Sequence, residues 1–184
     1  MESNVEKDRK LVESAKENPQ EFAVLYDKYV EQIYKYVFRR VQDKEQTEDL
    51  VSQTFFDALE HLESYEFRGY AFSAWLYKIA HNNVLKWYRE KTRGGYRVDM
   101  EEMSNLKDEK VELKDEVNTL LEKSELMQSL DLLDDEEREI IRLKYFEEVS
   151  NIELAHIMGI TANNVGVKLY RALRKLKQLI ENNN

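Results

Sequence analysis

The sequence predicts an all-α protein of two small helical domains joined by a flexible acidic linker. Apolar residues recur at spacings of three and four along most of the chain, and no alternating pattern appears. One Pro and five Gly in 184 residues leave little turn chemistry for a β-sandwich. Helix-start signals stand before most of the apolar-periodic runs. The expected boundaries are a first domain over residues 1–96, with its core from about residue 19, a linker over 97–123 and a second domain over 124–184.

The first long helix begins at Asn18-Pro19-Gln20-Glu21. Asn18 is an N-cap, Pro19 suits the first helical position, and Glu21 stands three residues after the cap. Phe22, Leu25, Tyr26, Tyr29, Ile33 and Val37 form its apolar stripe. A second helix follows Asp43, with Gln46 completing a similar box and Leu50, Val51, Thr54, Phe55, Ala58, Leu59 and Leu62 facing inward. Residues 64–69 are a break. A third helix runs from about Tyr70 to Lys91, with Leu76, Ile79, Ala80, Val84 and Trp87 inward, and Gly94-Gly95 stops it. The segment before Pro19 is charged from Met1 to Lys16, unlike a signal peptide.

Between Val98 and Glu122 the chain has nine acids, three lysines and no aromatic, the composition of a solvated tether. Beyond it, Asp134 with Glu137 caps a helix carrying Ile140, Ile141, Leu143, Lys144 and Phe146. Ser150 with Glu153 caps a short helix to Met158, Gly159 is the turn, and Thr161 caps a last helix to Ile180. Ala155, Gly159 and Val165 fall at helix-turn-helix spacing. Val165, Leu169, Ala172, Leu176 and Leu179 form the inner stripe, with Asn164, Lys168, Arg171, Lys175 and Gln178 opposite. A basic helix on this scaffold suits the DNA major groove. Residues at its start (Thr161, Asn163, Asn164 and Lys168) are expected at base edges, and Arg171, Arg174 and Lys175 at phosphates.

The net charge is −9, unusual for a DNA binder, but its distribution is uneven. Residues 67–97 carry +6, residues 160–180 carry +5, and the remainder carries −20. Two basic islands in an acidic chain point to two nucleic-acid contacts and a further partner for the acidic surface. About five phosphate contacts in the last helix imply a salt slope near −4.5, and the acidic remainder implies weak unaided DNA binding.

From Tyr65 to Arg93 aromatics interleave with cations, among them Tyr65, Phe67, Arg68, Trp75, Lys78, His81 and Lys86. Aromatic faces hold unstacked bases while Lys and Arg hold their phosphates, so this segment suits a single strand. Trp87 and Tyr77 are expected in the core, and Trp75, Lys78 and Asn82 at the surface. With no cysteine, disulfides and thiolate metal sites are excluded. The three histidines have no ligand spacing, and no nucleophile–base set or phosphate-cradling glycine loop is present. The reading is therefore a protein without metal, cofactor or catalytic chemistry. No apolar run approaches the ~20 residues of a membrane span.

The stretch EDLVSQTFFDALEHLESYEFRGYAFSAWLYKIAHNNVLKWYRE resembles region two of bacterial RNA polymerase sigma factors. The stretch LDDEEREIIRLKYFEEVSNIELAHIMGITANNVGVKLYRALRKLK resembles region four. With only these two domains, the chain resembles the extracytoplasmic-function (ECF) group of the sigma-70 family. The resemblance implies a cytoplasmic specificity subunit that binds core RNA polymerase through its clamp and flap. It places Asp49 and Gln53 on the polymerase clamp. It places Tyr65, Phe67 and Arg68 in the loop that pockets a flipped minus-ten base, and Trp75, Lys78, His81, Asn82 and Lys86 on the helix beside it. The non-template single strand is the partner there. It assigns the segment from Thr161 to Lys175 to the minus-thirty-five element. Linker acids such as Asp108, Glu109, Asp115 and Glu116 would mimic nucleic acid in a basic channel, and an anti-sigma factor is a common partner in the group.

Two positions depart from the family's usual wording. Ser52-Gln53 replace Gln-Glu in the clamp helix, and Asn164-Val165-Gly166-Val167-Lys168 replaces Thr-Val-Lys-Ser-Arg in the recognition helix. The rival readings are a conventional helix-turn-helix regulator acting without polymerase, and a helical adaptor that binds proteins only.

Overall fold

The computed structural model describes residues 4–93 and 126–183. The linker acids and the Gly94-Gly95 stop lie outside the described residues. The chain divides into two compact units, and the described residues of both are helical with no strand.

The first unit contains α1 (Asn4–Glu17), α2 (Phe22–Val41), α3 (Lys44–Glu60) and α4 (Phe72–Arg93). Helix α2 packs on α1, α3 and α4, and α3 packs on α4. Leu25, Ile33 and Val37 of α2, Val51, Phe55 and Ala58 of α3, and Leu76, Tyr77 and Val84 of α4 are all buried where these three helices pack together. Because α2 is covered on several sides, its buried arc is wider than one stripe. Tyr36, outside the expected stripe, is buried and meets Tyr77 edge-on at 5.0 Å between ring centroids. Conversely, Tyr26 and Leu59 of the expected stripes are each 41% exposed. Trp87 is only half-buried.

Helix α1 was not legible in the charge-rich N-terminal sequence. It buries Val12 and Ala15, and also Asp8, which is 2% exposed. A buried carboxylate is tolerable only when partnered. Lys28 pairs with Asp8, and the Tyr29 hydroxyl donates to it.

The caps differ in detail from the sequence expectation. Asn18 accepts from the Gln20 backbone N–H at 3.2 Å and starts a 3-10 turn, Pro19–Glu21, that leads into α2. The Glu21 side chain does not close a box; it accepts from Ser14 of α1. Asp43 accepts from the Gln46 N–H at 2.8 Å, but the Gln46 side chain turns away to accept the Trp87 indole N–H, also at 2.8 Å. Each of these glutamine and glutamate side chains thus ties one helix to another rather than to its own start.

Later in the chain follow α5 (residues 126–131), α6 (Asp135–Tyr145), α7 (Asn151–Met158) and α8 (Ala162–Asn183). Complete capping boxes start α6 at Asp134/Glu137 and α7 at Ser150/Glu153. The Arg138 guanidinium donates to the carbonyls of Leu130, Asp131 and Leu133 at 2.8–3.1 Å, so a cation satisfies the orphan acceptors at the end of α5. Helix α6 lies along α8. Val165 and Ala172 are fully buried and Leu176 nearly so.

Between α7 and α8, Gly159 adopts φ 67°, ψ 30°, and its N–H and that of Ile160 both donate to the Ala155 carbonyl. This left-handed position is costly for residues other than glycine by backbone sterics. Gly166, by contrast, sits inside α8 with open space where a Cβ would stand. Gly159→Ala is therefore expected to destabilise the second unit by about 1–2 kcal/mol. Gly166→Ala should stabilise it by about 1 kcal/mol. Hydrogen exchange of peptides over residues 135–180 checks both: protection falls in the first variant and rises about fivefold in the second.

Candidate nucleic-acid and polymerase interfaces

Two faces of the first unit carry the predicted contacts. Along α4, Trp75, Lys78, Asn82 and Lys86 follow spacings of three and four and so share one stripe. Asn82 and Lys86 are exposed, and Trp75 and Lys78 are half-buried. At the head of this stripe Trp75 meets Tyr65 at 5.0 Å and Phe72 at 5.3 Å between ring centroids. Tyr65 itself is 6% exposed. Most of its ring is therefore packed, and it braces Trp75. Phe67 is half-buried and Arg68 exposed, in the loop before α4.

Helix α1 holds that loop. The Lys16 ammonium donates to the Tyr65 carbonyl at 2.9 Å, and the Arg9 guanidinium lies 5.6 Å from the Phe67 ring centroid. These two contacts reach across 49 and more residues of sequence, so periodicity within the loop could not have revealed them.

His81 leaves the stripe. Its Nδ1 lies 3.0 Å from the Arg40 guanidinium and 3.4 Å from the Tyr36 hydroxyl. The angular offset of position 81 turns the ring toward α2, and a guanidinium donor there requires the ring nitrogen to accept. His81 is thus a link between α2 and α4.

On α3, Asp49 and Gln53 are both exposed. They line a groove of about 350 Å³ between α3 and α4, together with Leu50, Lys86, Trp87 and Glu90. Lys86 therefore belongs to the neighbourhood of Asp49 and Gln53, about 16 Å along the helix from Trp75 at 1.5 Å per residue. The Gln53 side chain donates to Asp57 at 2.6 Å, and Asn83 donates to the same carboxylate at 2.9 Å, cross-linking α3 to α4.

In the second unit, Thr161 accepts the Asn164 N–H at 3.3 Å and starts α8. Thr161, Asn163, Asn164, Arg171 and Arg174 are exposed. Lys168 and Lys175 stand differently from the sequence expectation. The Lys168 ammonium lies 2.6 Å from Glu136, and Lys175 lies 2.6 Å from Glu137 and 3.7 Å from Asp134. Both lysines flank the buried stripe on the side facing α6, an arrangement that the spacing of α8 alone cannot disclose. The outermost face instead carries Asn163, Val167, Tyr170, Arg171 and Arg174. Val167 and Tyr170, 49% and 67% exposed, were not singled out by periodicity; their signal was an apolar residue on the wrong side of an amphipathic helix.

An aromatic-basic helix beside a braced loop in one unit, and a capped helix-turn-helix in the other, are features that suit a nucleic-acid-binding protein. Comparison with known proteins narrows this. Sigma-70 region 2 matches residues 25–94, and Sigma-70 region 4 matches residues 123–176. The chain is 33% identical over 156 residues to RNA polymerase sigma factor YlaC of Bacillus subtilis, covering 84% of this chain and 88% of YlaC. It is 31% identical over 159 residues to the ECF RNA polymerase sigma factor BldN of Streptomyces coelicolor, covering 86% of this chain but 60% of BldN. Its fold is similar to that of the sigma factor RpoE of Bartonella quintana, solved in complex with the anti-sigma factor NepR. That match has a TM-score of 0.67 at 20% identity, over 88% of this chain and 98% of the other. The chain belongs to the ECF group of the sigma-70 family and is an RNA polymerase sigma factor. Among the described residues, no helix is long and apolar enough to cross a membrane.

The braced loop has a titration signature. Burial, then the neighbouring Tyr70, Asp8 and Glu13, push the Tyr65 hydroxyl up to about 12, and burial with the Asp8 contact raises Tyr29 as well. The folded state favours the neutral phenols, so this stabilisation is complete below the ordinary tyrosine range and is lost as pH rises through the folded values. Ultraviolet titration of phenolate should show Tyr65→Phe removing a group that ionises near pH 12. The same variant should flatten the alkaline loss of stability.

Proposed function

We propose that this sigma factor divides promoter recognition between its two units and is held to core RNA polymerase by the α3–α4 groove. Asp49 and Gln53 meet the polymerase clamp. Trp75, Lys78 and Asn82, with Arg68 and Phe67 of the loop, hold bases of the non-template strand at the minus-ten element. The outer face of α8, from Asn163 to Arg174, reads the minus-thirty-five element. The second unit also meets the polymerase flap. The protein acts as a cytoplasmic specificity subunit and carries out no chemistry of its own. RpoE is bound to an anti-sigma factor in its solved structure, and a protein of that class is the regulatory partner we infer here.

The observation that carries this reading is the position of Trp75. Its ring is braced by Tyr65 and Phe72, stands at the head of a polar and basic stripe, and follows a loop tied to α1. A rigid aromatic beside cations suits an unstacked base, since stacking contributes about 1–3 kcal/mol per base without sequence readout. A duplex alone needs no such ring.

Two variants separate the roles. Trp75→Ala should bind core polymerase as the wild type does but leave promoter thymines unreactive to permanganate. A wild-type footprint in that variant would remove Trp75 from strand opening. Asp49→Arg should weaken core binding about tenfold or more, a loss of about 1.4 kcal/mol or more. Unchanged co-elution with core would place the clamp contact elsewhere.

A further inference from the structure

We infer that Glu136 and Glu137 are specificity-determining residues: they hold Lys168 and Lys175 of the recognition helix away from DNA phosphates and so suppress sequence-independent binding. The inference rests on the reading of α8 as the DNA helix and deepens it.

Lys168 and Lys175 are seven residues apart on one edge of α8, and each ammonium meets a carboxylate of α6 at 2.6 Å. The Glu137 carboxylate is held independently of Lys175. Glu137 belongs to the capping box of α6, accepting the Asp134 N–H at 3.3 Å while Asp134 accepts the Glu137 N–H at 2.9 Å. Glu136 lies in the same first turn, where the helix dipole favours negative charge. Lys175 is held above its ordinary pKa, mainly by its hydrogen bond to Glu137, and Asp134 below its own, mainly by the Glu137 backbone. A phosphate approaching either lysine must displace an anion already in place, and it meets the repulsion of that anion at a range shorter than the Debye length.

Arg171 and Arg174 have no ion pair among the described residues and point outward beside Asn163, Val167 and Tyr170. Phosphate affinity is sequence-independent, whereas base edges and thymine methyls are read by the amide and apolar side chains of this outer face. Neutralising two cations at the edge lowers the first term and leaves the second. With Lys168 and Lys175 withdrawn, Arg171, Arg174 and Lys177, whose pair with Glu181 is looser at 3.6 Å and largely exposed, remain for phosphates, and the expected salt slope shrinks from about −4.5 to about −2.7.

The test measures binding of the full chain to a random-sequence duplex by fluorescence anisotropy between 50 and 200 mM KCl. The variant Glu136→Gln/Glu137→Gln should bind more tightly. Its slope should steepen by about 1.8, so that its affinity falls about 12-fold more than the wild type's across that range. The same change made in a Lys168→Gln/Lys175→Gln background should steepen the slope by less than half as much. An equal steepening in both backgrounds would show a general charge effect and overturn the inference, as would no steepening in either. Glu136→Gln alone leaves the capping box intact; it should give about half the effect and decides the matter if the double variant unfolds. Arg171→Gln/Arg174→Gln tests the underlying reading. If that variant binds duplex as the wild type does, α8 is not the DNA helix. If it binds weakly while the glutamate variants change nothing, only the role of the glutamates fails.

Discussion

The burial of one stripe on each contact helix sets the rotation of that helix, and every functional face follows from it. In α8, Val165, Ala172 and Leu176 are the buried stripe. Once they face inward, Asn163, Val167, Tyr170, Arg171 and Arg174 must face outward, while Lys168 and Lys175 fall at the boundary beside α6. In α4, Leu76, Ala80 and Val84 play the same part, leaving Trp75, Lys78 and Asn82 outward and turning His81 toward α2. An apolar stripe thus aims polar groups that it never touches.

Rotation alone does not hold a loop, and the segment between α3 and α4 is held by a separate set of contacts. The 3-10 turn Leu62–Ser64 closes the end of α3, Tyr65 is buried against Phe72 and Trp75, and Lys16 takes its carbonyl. The buried Asp8, paired with Lys28 and Tyr29, anchors α1 on α2. Binding a flipped base demands a ring that does not rearrange, because ordering it at the moment of binding would subtract from the stacking gain. The N-terminal helix supplies part of that order from outside the segment proposed to meet DNA.

Much of this was legible in the sequence because it is local. The capping boxes at Asp134 and Ser150, the left-handed Gly159 and the inner stripe of α8 are set within a few residues of one another. The all-helical class follows from the same periodicity. What could not be read is what one element does to another. Gln46 has the residue type that the box rule asks for, yet its side chain leaves the box open and serves Trp87 of α4, which only packing shows. Tyr65 has the composition of a stacking platform, yet burial makes it a support. Lys168 has the spacing of a base contact, yet the neighbouring α6 brings Glu136 to it. The charge-rich α1 hid a helix because its buried positions include an aspartate. In each case the residue type was informative and the partner was not visible.

The central claim is that the chain confers promoter choice on RNA polymerase through two separate DNA contacts. The direct measurement mixes the purified chain with bacterial core RNA polymerase and a genomic DNA library and sequences the run-off transcripts. Transcripts that begin downstream of a shared two-part motif are the predicted result. Core that binds the chain yet starts transcripts without any shared upstream motif, or a chain that neither co-elutes with core nor yields transcripts, would contradict the claim.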